Sequence, residues 1–207
     1  MQAQLVLPES NTLDEETARA EVYGLLATLY YAAPSKELYD NICVAVTEAP
    51  AAGAVLEGSW AELVAAARRQ DLADIAREYD SLFGGVGKPE IYLFGSHYLS
   101  GFLNEKPLAA LRSDIAALGL ARDETLPETE DHAAYICEVM RYLIAGDDVA
   151  VANLTRQREF FTRHVQTWMP AMCEAIMKHP KARFYRALAA FTQSFVSVEA
   201  QGFDMLA

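Results

Sequence analysis

The 207-residue sequence predicts an all-α fold: a single helical bundle of about ten helices with short connections. Three observations carry that expectation. Apolar residues recur at spacings of three and four along almost the whole chain, the period of a helix face. No segment alternates apolar and polar residues above background, as a half-buried strand would. Glycine and proline are sparse, at 11 and 8 residues, which favours long regular elements over turn-rich β-structure. The apolar fraction of 52%, with 10% aromatic, is enough for a sizeable core.

The elements follow in order. Thr12 and Glu15 have the capping-box spacing, and Ala18, Val22, Leu25, Leu26 and Leu29 form one apolar stripe that Pro34 ends. A shorter helix is expected over 36–46. Another follows Ser59, with Trp60, Leu63, Val64 and Ala67 inward. The clearest stripe is Leu72, Ile75, Ala76, Tyr79, Leu82 and Phe83, which runs into the break GGVGKP at 84–89. The aromatic stretch after it reads as a loop and then a short helix. Leu108, Leu111, Ile115 and Leu118 mark the next helix, with Gly119 just past its end. Residues 121–128 are polar and contain a proline, so they are the candidate hinge between two helical halves. Beyond them, Thr129 is a candidate N-cap for a stripe of Ala133, Ile136, Cys137, Met140 and Leu143, closed by Gly146. Val151, Leu154, Phe161, Val165 and Trp168 read as one long helix; Phe184, Leu188, Phe191, Phe195 and Val198 read as the last.

Charge narrows the function classes. A net charge of −12 opposes nucleic acid and anionic membrane surfaces and favours a basic or arginine-bearing partner, although acidity also serves solubility alone. The three cysteines, Cys43, Cys137 and Cys173, form neither a disulfide framework nor a metal-binding spacing, and a reducing compartment fits them. The first residues lack a basic region followed by an apolar core, and no run approaches the roughly 18 apolar residues of a spanning helix. A cytoplasmic protein with no membrane insertion is expected.

Chemistry-bearing motifs are few. GGVGK at 84–88 lacks the full phosphate-loop pattern, because Pro89 follows Lys88 and a helix precedes it; the simpler reading is that Gly84 and Gly85 end that helix. His97, His132, His164 and His179 never stand four residues from another His or from a Cys, so no metal site is expected. His164 and Trp168 are spaced for a packing contact on one helix face. Asp131-His132 would fall in a first helical turn. There the acid suits the helix dipole, and a neutral imidazole can bond a partner. No serine or cysteine has a nucleophile context, and no cofactor loop is present, so neither an enzyme nor a bound cofactor is expected.

Three segments, taken together and in order, resemble the TorD/DmsD/NarJ family of cytoplasmic chaperones for molybdenum-cofactor reductases. They are EYDSLFGGVGKPEIYLFGSHYLSG (78–101), ETEDHAAYICEVMRYL (128–143), and FFTRHVQTWMPAMCEAI with FYRALAAFTQSF (160–176 and 184–195). The chain departs from the family pattern at Thr129, where proline is usual, and at Gly95, where glutamate is frequent. The resemblance implies binding without catalysis. The partners are the apo-molybdoenzyme catalytic subunit and its twin-arginine signal peptide, held until cofactor insertion permits export. Carried over by motif, Leu82, Phe83, Gly84, Pro89, Tyr92, Ser96, Tyr98, Asp131 and His132 would line or shape the client surface. Tyr79 and Phe94 would add aromatic wall, and Glu128, Glu130 and Asp131 an acidic rim for the leader's arginines. Replacing Asp131 and His132 together is then expected to weaken leader binding without unfolding. One rival is a helical adaptor for a folded partner. Another is a hydrolase using His132 with Asp131, which adjacent positions about 100° apart on a helix disfavour. The chain could act as a monomer or, with 121–128 as hinge, as a domain-swapped dimer.

Overall fold

A computed structural model describes residues 10–47, 54–84, 88–123, 125 and 127–205. Ten helices are formed among them. They are α1 (Ser10–Tyr31), α2 (Lys36–Val44), α3 (Ala54–Arg68), α4 (Leu72–Leu82), α5 (Gly95–Ser100), α6 (Lys106–Ala117), α7 (Ala133–Ala145), α8 (Leu154–His164), α9 (Met169–Lys178) and α10 (Phe184–Met205). No strand occurs among the described residues; one isolated antiparallel bridge pairs Phe94 with His132. Gly85, Val86 and Gly87 of the expected break, and Glu124 and Leu126 of the candidate hinge, lie outside the described residues.

Local chemistry sets most boundaries. Ser35, Asp71 and Asn153 each accept a backbone N–H three residues on, from Leu38 (3.1 Å), Asp74 (2.7 Å) and Arg156 (3.1 Å). Gly119 takes φ +73° just after α6, a conformation that costs a residue without Cβ little. α1 packs chiefly on α7, and α10 on α9 and α3, so helices from before and after residues 121–128 interleave in one core.

Four expectations need correction. α1 starts at Ser10, so Thr12 is already inside the helix. α3 starts at Ala54, and Ser59 lies within it with its hydroxyl donating to the Leu56 carbonyl at 3.0 Å. α7 starts at Ala133 with His132 as its cap, not at Thr129. The long helix expected to reach Trp168 ends at His164, and Met169 opens a new one with Pro170 in its first turn, where the missing N–H costs nothing. His164 and Trp168 meet across that break. The indole N–H donates to the His164 carbonyl at 2.6 Å, while the imidazole packs on Phe160 and bonds Asp114 at 2.6 Å.

Buried polar groups fix the register. The Arg19 guanidinium forks onto Glu199 at 2.7 and 2.9 Å, and Tyr23 donates to the same carboxylate at 3.1 Å. Glu78 was not anticipated. Its carboxylate accepts the backbone N–H groups of Arg183 (2.7 Å), Phe184 (3.1 Å) and Tyr185 (2.9 Å) at the start of α10. That satisfies donors a helix start leaves open and sets a negative charge on the positive end of its dipole. Cys137 and Cys173 are buried free thiols, and burial pushes Cys173 up to about 12, so neither is a nucleophile. No described helix is long and apolar enough to cross a membrane.

Candidate functional site

The two segments singled out in sequence meet where the chain enters α5 and α7. The backbone N–H of Gly95 donates to the Asp131 carbonyl, and that of Ala133 to the Leu93 carbonyl, both at 2.8 Å. These bonds zip the end of the 88–94 loop onto the turn before α7.

Asp131 sits inside this junction, 3% exposed. One carboxylate oxygen accepts the N–H of Ser96 at 2.9 Å, and the other accepts the Thr129 hydroxyl at 2.6 Å. The carboxylate therefore ties the turn before α7 to the start of α5. It does not face a partner's arginine. His132 is 5% exposed and caps α7, its Nδ1 accepting the N–H of Ala134 at 3.2 Å. Burial lowers its pKa to about 4 against the pull of Asp131, so the ring is neutral near pH 7 with its proton on Nε2. A neutral ring removes the conflict with the helix dipole that a cation there would create. Removing both side chains would thus cost stability, contrary to the expectation drawn from sequence.

Other motif residues serve the same junction. The Tyr98 hydroxyl donates to the Tyr92 carbonyl at 2.8 Å, and its ring stacks on Trp168 at 6.0 Å. Ser96 is buried, and Leu82 is wholly in the core. Gly95 lies against the Trp168 indole: a Cβ there would come within 3.1 Å of the ring. Of the residues expected to line or shape the client surface, Leu82, Ser96, Asp131 and His132 are buried and can only shape it, while Tyr98 is half-buried. Glu130 is held by Arg112 at 2.9 Å, so its charge is already paired.

What remains open to a partner is an aromatic face over the junction. Tyr31, at the end of α1, is 41% exposed and lies 6.1 Å from Tyr135 and 6.5 Å from the His132 ring. Half-buried Phe94 meets the edge of His132 at 5.0 Å. The Tyr79 hydroxyl donates to the Tyr31 carbonyl at 2.6 Å, which fixes α4 against the end of α1, and its ring packs on Phe83. Gly84 and Pro89, both half-buried, stand on either side of the 85–87 stretch in the sequence.

Glu128 makes no hydrogen bond or ion pair among the described residues. Its charge reaches two phenols of this face: burial first, then Glu128, pushes Tyr79 up to about 12, and Tyr135 is raised by burial, Tyr31 and Glu128 in turn. Tyr135 also lines an adjoining groove of about 250 Å³, whose other apolar lining is Ile115, Leu120, Ala121, Val139 and Tyr142 and whose charged lining is Arg122, Asp123, Glu130 and Glu138. Tyr31, Tyr135, Val139 and Tyr142 were missed from sequence. Each lies on a helix whose stripe signals only which face is buried, and nothing local marks the half-buried flank. Among the described residues no cluster of His, Cys, Asp and Glu is arranged to hold a metal ion.

Comparison with known proteins agrees with this picture. Residues 49–174 match the family described as nitrate reductase delta subunit. Over 217 aligned residues the chain is 26% identical to the chaperone protein TorD of Vibrio cholerae serotype O1, covering 97% of this chain and 98% of that one. It is 25% identical over 218 residues to the chaperone protein TorD of Shewanella loihica, covering 94% and 97%. Over 134 residues it is 25% identical to the protein of that name from Vibrio parahaemolyticus, covering 61% and 62%.

Proposed function

From the premise that this chain belongs to the nitrate reductase delta subunit family, the group that holds the TorD- and NarJ-like chaperones, we propose that it is a cytoplasmic chaperone for a molybdenum-cofactor enzyme. It works by binding and catalyses no reaction. Its client is the apo form of the enzyme's catalytic subunit, and the element it captures is the twin-arginine signal peptide. Holding the leader delays export until the cofactor is in place.

The observation that carries this reading is the continuity of the Tyr31–Phe94–Tyr135 face with the apolar groove beside it, with Glu128 at their border. A twin-arginine leader is a cationic pair followed by an apolar helix-forming stretch. The groove suits the apolar stretch, as grooves that accept amphipathic helices do. Glu128 suits a guanidinium. An exposed pair of that kind contributes about 0–1 kcal/mol, so it orients the leader while apolar burial sets residence time. The adaptor reading has less support, because a helix-wide groove fits an unfolded segment better than the broad surface of a folded partner.

Calorimetric titration of a synthetic twin-arginine leader into the full chain tests the site. Tyr135→Ala is expected to weaken binding about tenfold, equivalent to about 1.4 kcal/mol, with an unchanged melting curve. Equal affinity for the variant and the parent would remove this face as the docking site.

A further inference from the structure

Helix α1 carries a fully buried apolar face and, beside it, a second set of apolar residues that pack on the edge of the core, stay partly open to solvent and lie apart from the leader site. Tyr23, Leu26, Ala27 and Tyr30 are fully buried, whereas Ala18, Val22 and Leu25, at i, i+4 and i+7, line an open groove of about 460 Å³. Leu56 and Trp60 of α3 form the opposite wall, and Phe191 of α10 lies 5.5 Å from the Trp60 ring. The indole is held in place, its N–H donating to the Val46 carbonyl at 2.9 Å.

The rim is acidic and unpaired. Glu21 on α1 and Glu57 on α3 both line the groove, no lysine or arginine does, and neither acid has a hydrogen-bond or ion-pair partner among the described residues. Glu62, Asp74, Glu138, Glu159 and Glu174 each hold an arginine or lysine, whereas Glu21 and Glu57, like Glu128 at the leader site, hold none among the described residues. An apolar trough with a carboxylate on each wall, and no lysine or arginine among the described residues that line it, is complementary to a cationic, apolar segment.

We propose that this groove is a second client-docking site and takes a basic amphipathic helix, with apolar residues at i, i+3 or i+4 and i+7, and lysine or arginine on its flanks. Exposed Ala18 and half-buried Val22 and Leu25 of α1 form a ridge of helical period, which another helix fits by ridge-into-groove packing. A second copy of this chain is a poor occupant, because two chains of net charge −12 repel. The inference relies on the chaperone reading but not on where the leader binds. Leu25 and Tyr31 are six residues apart, about 9 Å along α1, so one client can contact both sites through the same helix.

The test uses the full chain with ¹⁵N-labelled indoles and an 18-residue peptide with blocked ends, leucine on one face and lysine and arginine on the other. Binding should move the Trp60 indole signal and leave that of Trp168, which is 2% exposed, in place. Glu21→Lys with Glu57→Lys should weaken binding at least tenfold with an unchanged melting curve. The proposal is overturned if Trp60 does not respond, if the charge-reversed chain binds equally well, or if a scrambled peptide of the same composition competes as strongly. It is also overturned if the Trp60 shift follows protein concentration without peptide, which would give the groove to a second copy. Tyr135→Ala losing the leader while still binding this peptide would show the two sites to be separate.

Discussion

Two carboxylates three residues apart, before α7, have opposite surroundings. Asp131 is buried and accepts two hydrogen bonds, from Ser96 and Thr129. Glu128 is half-buried and accepts none among the described residues, while its charge is felt by Tyr79 and Tyr135. The first is part of the joint between α5 and α7. The second borders a surface with room for a partner. The difference shows that the residues most recognisable as motif build the platform, while less distinctive ones form the face laid over it.

The comparison breaks most visibly at Asp131. Replacing it with alanine leaves the buried Ser96 N–H and the half-buried Thr129 hydroxyl without their acceptor, a loss of about 1–3 kcal/mol for the buried donor and less for the other. Chemical denaturation should register that loss, and the fraction still folded should bind leader within about threefold of the parent. A fully stable Asp131→Ala chain that fails to bind would reverse the assignment and return the carboxylate to the client surface.

His132 sharpens the same contrast through pH. Its folded pKa, about 4, lies below the ordinary value of 6.5 because burial disfavours the cation. Between those values the unfolded chain binds more protons than the folded one, so stability falls as pH drops from 6.5 towards 4. A gap of that size corresponds to about 3 kcal/mol at full extent. Replacing His132 with asparagine, which can still cap α7, should flatten the slope of stability against pH over that window. An unchanged slope would mean that other groups set the acid limit.

The fold was legible because helical period survives noise: nine helical segments read in sequence correspond to ten helices among the described residues, the 151–168 stripe dividing into α8 and the start of α9. The errors fell at boundaries set by unusual or distant partners. Thr129 looked like the cap of α7, but its hydroxyl is engaged with Asp131, and His132 takes the role instead. α1 read as one stripe, yet its residues divide between a buried face and an open groove, since sequence period reports apolar positions and not what covers them. The site was legible as a place but not as a set of roles. Asp131 owes its burial to Ser96, 35 residues earlier, and Tyr31 becomes part of the face only because α1 lies on α7, some hundred residues away. No local pattern encodes either pairing.

The smallest effect is expected at Glu128, and it separates steering from holding. If the carboxylate only orients a leader's arginines at a partly solvated rim, Glu128→Gln should weaken binding by no more than about threefold, consistent with 0–1 kcal/mol for an exposed pair. The larger change should be in salt response. The parent's affinity should fall between 50 and 300 mM added salt, where the Debye length shortens to well below about 10 Å, and the variant's should fall less. Loss of association rate with little change in dissociation rate, measured by stopped-flow, would mark Glu128 as a steering charge. A loss carried instead by faster dissociation would mean that the arginine is buried against Glu128 in the complex, and that the rim belongs to the holding surface.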